Sequence, residues 1–171
     1  MIRYIFSGGL TPQMAEYLKN MPRFEPIHAL VTQLDRNSID HMIKFMKEGV
    51  VADLFVDSGA FSVHTGKAKV DVDEYIDYVN SIDEYTCAIA QLDTIPGTFG
   101  KAKTPKDYEE SAKKSWDNFL YMYSKLKSPE KLIPVFHYGE SFAALKNMLD
   151  WKDENGRQLS YLGISPANDT A

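Results

Sequence analysis

Two aspartates, Asp57 and Asp93, and one histidine, His137, each follow an apolar run of the kind that forms a buried strand. Two carboxylates sharing a partly dry pocket repel one another. They then acquire different proton affinities, or a bound ligand's donors neutralise them. One could accept N–H groups from a heterocycle while the other shuttles a proton. His137 is suited to acid or base work, and equally to service as a hydrogen-bonding partner. Phe61, just beyond Gly59-Ala60, offers a face on which a planar ring could stack. Asp57-Ser58-Gly59 is also good turn chemistry, so residue types alone leave a plain turn open.

The elements that must position these groups alternate along the chain. Short apolar runs at residues 2–6, 27–31, 54–56, 86–92, 132–136 and 161–164 predict strands, the third of them buried on both faces. Helices are expected at about 12–20, 38–48, 71–82, 104–126 and 141–151. Thr11-Pro12 and Thr104-Pro105 are helix starts, Asp71 with Glu74 resembles a capping box, and Gly49 stops the second helix. Tyr108, Trp116, Phe119 and Tyr123 recur at helical spacing and are read as core. Phe142, Leu145 and Leu149 are expected to face inward on the last helix, and residues 62–70 to form a loop. The turn at 152–158 leads to the sixth strand, and no hairpin signal is found. Six alternations of this kind predict an α/β fold with parallel strands and right-handed crossovers, as a doubly wound sheet or a (β/α) barrel. Ser7-Gly8-Gly9 after the first strand is neither a dinucleotide fingerprint nor a P-loop. With the strands parallel, Gln33, Asp57, Ser58, Asp93, His137 and Ser165 gather at one rim, where such folds bind ligands.

With 171 residues, 44% of them hydrophobic, one domain with a sizeable core is expected. A net charge of −5 gives no global pull toward polyanions. The lysines at 113, 114, 125 and 127 alternate with acidic residues and read as a solvated face. The lone Cys87 excludes a disulfide framework and a cysteine-rich zinc site within the chain. No secretory leader and no membrane-spanning run is visible, so a soluble, cytoplasmic protein is expected.

The run Asp57-Ser58-Gly59-Ala60-Phe61 resembles the Asp-Ser-Gly-Gly-aromatic motif of the tRNA-guanine transglycosylases, the queuine and archaeosine tRNA-ribosyltransferases. Leu92-Asp93, His137-Tyr138-Gly139 and Tyr161-Leu162-Gly163-Ile164 match the order of the family's later strand ends, with histidine where the family has glutamine. The resemblance implies a (β/α)8 TIM-type barrel of which about six units are present, as one domain over 1–171, a truncated or divergent member comparable to phage-type proteins. It implies Asp57 as the general acid/base residue. Ser58, Gly59, Asp93, His137 and Gly163 would hold a guanine or 7-deazaguanine base, and Phe61 would stack on it. The reaction implied is base exchange at an N-glycosidic bond in tRNA or DNA through a covalent ribosyl intermediate.

The family's nucleophilic aspartate belongs to the eighth strand, with Asp169 the sole stand-in here, and its zinc site of three cysteines and a histidine lies further on. No cofactor is therefore expected in this chain. Completing the barrel would need either further β/α units of the same protein or a second copy or partner chain. Two other functions fit the same residues. One is a barrel hydrolase using Asp57 with Asp93 or Glu140 as paired carboxylates. The other is a non-catalytic base-binding or assembly module.

Overall fold

A computed structural model describes residues 5–22 and 24–166. The chain runs β1 (Ile5–Ser7), α1 (Pro12–Lys19), β2 (Ile27–Thr32), α2 (Arg36–Lys47), β3 (Val51–Asp57), α3 (Ala60–His64), α4 (Val72–Ser81) and β4 (Thr86–Ala90). It continues through α5 (Pro105–Lys125), β5 (Leu132–Ile133), β6 (Val135–His137), α6 (Phe142–Asp150) and β7 (Gly163–Ser165). Strands β1 to β5 form one parallel sheet in sequential order, and β6 and β7 form a parallel pair. That order has no point of reversal, unlike a doubly wound sheet. The fold is therefore α/β, a parallel sheet alternating with helices.

Local chemistry explains the helix boundaries. Thr104 accepts the Asp107 N–H while the Asp107 side chain accepts the Thr104 N–H, a complete capping box over Pro105. Asp71 caps α4 by accepting the N–H groups of Asp73 and Glu74. Val31, Leu54, Val56 and Ile89 pack against Ile39, Met42, Tyr75, Val79, Phe119 and Met122 in one core between sheet and helices. Trp116 stacks on Phe119 at 4.9 Å and Trp151 meets it edge-on at 5.2 Å, so the aromatic stripe of α5 is core.

Several expectations need correcting. β3 is not buried on both faces: Leu54 and Val56 enter the core, but Phe55 is half-buried and lines a cleft. The expected loop after β3 begins as the short helix α3. The fifth strand is split by Pro134, which has no N–H to offer a ladder. The Ile133 carbonyl accepts the Gln91 N–H and the Pro134 carbonyl accepts the Gly163 N–H, so the chain changes partners at that residue. The first strand is Ile5–Ser7, residues 2–4 lying outside the described set, and the last begins at Gly163 rather than Tyr161. On α6 the buried side chain is Met148, whereas Phe142 is 87% exposed and Leu149 also faces outward. An isolated antiparallel bridge, Lys152 to Gln158, closes the turn expected at 152–158 into a small hairpin. Among the described residues no helix is long and apolar enough to cross a membrane.

Candidate functional site

The alternation of strand side chains divides the sheet into two faces. Leu30, Phe55, Asp57 and Ala90 point away from the helical core and line a cleft of about 520 Å³, which Val135 and His137 of β6 continue. Asp93, Phe61, Gly163 and Ser165 line the same cleft. Of the strand-end residues expected at one rim, Asp57, Asp93, His137 and Ser165 line this cleft, whereas Gln33 lines a separate pocket beside Leu34, Asp35 and Arg36 and Ser58 is buried.

Asp57 ends β3 opposite Thr32 of β2. Its Oδ2 accepts the Gly59 N–H at 3.0 Å, and Ser58 Oγ accepts the Ala60 N–H at 3.3 Å, so each polar residue caps the turn that follows it. Gly59 adopts φ 79° and starts α3. Burial raises the Asp57 pKa above that of an ordinary carboxyl; the Gly59 N–H and the Thr32 hydroxyl pull it down, and the nearby Asp93 charge pushes it up. Ser58 is buried behind the cleft, and its carbonyl accepts the Gln33 side-chain N–H at 3.3 Å. Tyr75, fully buried, donates to the carbonyls of Ala90 and Val56, which ties the ends of β3 and β4 together beneath the site.

Gly59 supports a direct prediction. A Cβ there would stand 2.6 Å from Leu34 Cδ1, and φ 79° disfavours an L side chain. Leu34 is partly exposed and can give way, so the backbone term dominates. Gly59→Ala should cost about 1–2 kcal/mol in urea unfolding, and a wild-type midpoint would refute the left-handed turn.

Asp93 lies three residues beyond β4, and helix α5 holds it there. Asn118 Nδ2 donates to the Leu92 carbonyl at 2.8 Å, and the Thr94 N–H donates to Ser115 Oγ at 2.9 Å. Ser111 donates to the Thr94 carbonyl. Ser111 and Ser115 are both buried. Sequence reasoning missed this polar row inside an aromatic stripe, although Ser111, Ser115 and Asn118 share one face at spacings of four and three.

His137 joins the two sides of the site. Its Nε2 lies 2.9 Å from Asp93 Oδ2 and its Nδ1 lies 3.0 Å from Glu140 Oε1. The ring is 3% exposed. Burial opposes a charged imidazole, but hydrogen bonds and charge from Asp93 and Glu140 outweigh it and raise the His137 pKa to about 9. On the other side of Asp93, Ser58 Oγ donates to Oδ1 at 3.4 Å. The cluster is therefore a hydrogen-bonded chain, Glu140–His137–Asp93–Ser58, beside Asp57.

The remaining predicted residues fall as follows. Phe61 is 48% exposed at the rim, edge-on to Phe99 at 6.2 Å. Gly163 lines the cleft with its N–H already donated to Pro134. Gly59 backs onto Leu34, behind the turn. Asp169 lies outside the described residues. Among the described residues no group of three His, Cys, Asp or Glu side chains is arranged to hold a metal ion. Compared with protein-family models, curated proteins and solved structures, the chain finds no match.

Proposed function

We propose that this chain is a base-exchange domain of the transglycosylase type, binding guanine or a 7-deazaguanine of tRNA or DNA in the cleft between Asp57 and Asp93. The observation that carries this reading is the unequal treatment of two carboxylates lining one cleft. Asp93 is anchored by His137 and Ser58, as an acceptor for adjacent N–H groups on a heterocycle edge should be. Asp57 has a raised proton affinity, as a group that gives a proton to a departing base and takes one from the incoming base should have. Phe61 at the rim supplies an apolar face for the ring. Attack at the ribosyl carbon is assigned to none of the described residues. Glu140 is enclosed and bonded to His137, which leaves a paired-carboxylate hydrolase only Asp57 and Asp93.

Strands β1 to β4 are parallel, sequential and each followed by a helix, and the split fifth strand is followed by α6, an order that suits a (β/α)8-type barrel. Every residue of β1 is exposed, and Ile164 of β7 is 71% exposed. Open edges of this kind are normally covered, and we assign that role to further β/α units from this chain or a partner. The single Cys87 suits a reducing compartment, and we assign the protein to the cytoplasm.

Calorimetric titration with 7-aminomethyl-7-deazaguanine, with adenine as the control, tests the reading. Saturable heat with the deazaguanine and none with adenine is the expected result. Silence with both at millimolar base would overturn it.

A further inference from the structure

Glu140 is close to the chemistry without touching the cleft. The Glu140 N–H donates to the His137 carbonyl at 3.0 Å, closing a four-residue turn in which Gly139 takes φ 101°. Tyr108 packs so close to Gly139 that a Cβ there would lie 2.5 Å from its ring. This turn folds Glu140 back onto the imidazole it follows. Its side chain is 0% exposed, Oε1 meets His137, and Oε2 is buried with no hydrogen-bond partner among the described residues. An orphaned carboxylate oxygen is costly, so fold stability alone is a poor reason for a glutamate here. What the carboxylate does supply is a fixed acceptor for the Nδ1 proton. With a carboxylate at each nitrogen the ring keeps both protons, Nδ1–H donating to Glu140 and Nε2–H to Asp93.

We propose that Glu140 is a positioning residue of the base site: acting through His137, it locks the Asp93 carboxylate so that its free lone pairs meet a ligand edge carrying two adjacent N–H donors. The inference rests on the base-exchange reading. It adds a residue outside the cleft lining, Glu140, to the groups that fix the base-recognition edge. Asp93 Oδ2 already takes the His137 proton and Oδ1 the Ser58 hydroxyl. Each oxygen thus keeps one direction for the ligand. A ligand presenting an acceptor edge, such as a xanthine-type N1–C2 carbonyl in place of the amino group, meets a carboxylate with nothing to donate.

Glu140→Gln keeps the shape and removes the charge. In histidine-labelled protein, the NMR signals of His137 should show a charged ring through neutral pH in the wild type and a lower titration midpoint in the variant. Affinity for 7-aminomethyl-7-deazaguanine should fall about tenfold, and Glu140→Asp, which retains the charge, should recover part of both effects. If Glu140→Gln does not fold, Glu140→Asp carries the test, with a charged His137 and intermediate affinity expected. An unchanged His137 titration in Glu140→Gln overturns the proposal without reference to any ligand. So does a shifted titration with wild-type base affinity. A wild-type protein that binds no base defeats the base-exchange reading itself, and this proposal with it, a result the wild-type titration alone identifies.

Discussion

Replacing His137 with alanine should destabilise the protein by about 3–5 kcal/mol at neutral pH. Among the described residues the ring is the only cation hydrogen-bonded between Asp93 and Glu140, whose side chains are 10% and 0% exposed. Removing it leaves two buried like charges and a cavity. The pH dependence separates the ion pairs from simple packing. The His137 pKa rises on folding from 6.5 to about 9, so its stabilising contribution is complete below pH 6.5 and is lost as pH climbs through 9. The gap between wild type and variant should therefore narrow by about 3 kcal/mol between pH 6 and pH 10. Urea unfolding at a series of pH values measures this. A constant gap would show that His137 contributes volume and not charge. A His137→Asn variant should recover part of the packing and none of the pH dependence.

The rim of polar strand ends was legible because it follows from two simple periodicities. Alternation along β3 sends Leu54 and Val56 one way and Phe55 and Asp57 the other, and the sequential parallel sheet together with the β6–β7 pair then brings Asp57, Asp93 and His137 to one cleft. The role of Glu140 was harder to see, because a carboxylate three residues after a histidine reads as an ordinary polar turn. Only Gly139 at the third position signals that residues one and four come together. The row Ser111, Ser115 and Asn118 was hidden for a different reason. Small polar side chains dilute a helix's apolar pattern without breaking it, and their partners lie in the segment after β4, where sequence spacing carries no information. Phe142 and Leu149 were misplaced because helical spacing defines a face but not what covers it.

The largest expected loss of activity is at the residue where β3 ends. On the proposed base-exchange reading, Asp57→Asn should lower exchange by about 10²- to 10⁴-fold, the usual contribution of a positioned acid or base. Binding of the free base should change far less, because the recognition edge is assigned to Asp93. The same substitution should make the protein more stable at neutral pH. Burial raises the Asp57 pKa in the fold, so folding is unhindered by Asp57 at pH values below its unfolded pKa and is penalised as pH rises through the folded value. Asparagine escapes that penalty and still offers an oxygen to the Gly59 N–H that Asp57 now engages. Melting temperatures should be close for the two proteins at pH 3.5 and higher for the variant at pH 7.5. A residue whose replacement costs activity and gains stability is retained for its chemistry. If Asp57→Asn instead left exchange intact, or lost stability at pH 7.5, Asp57 would be a turn former and the proton would have to pass through His137 or Asp93.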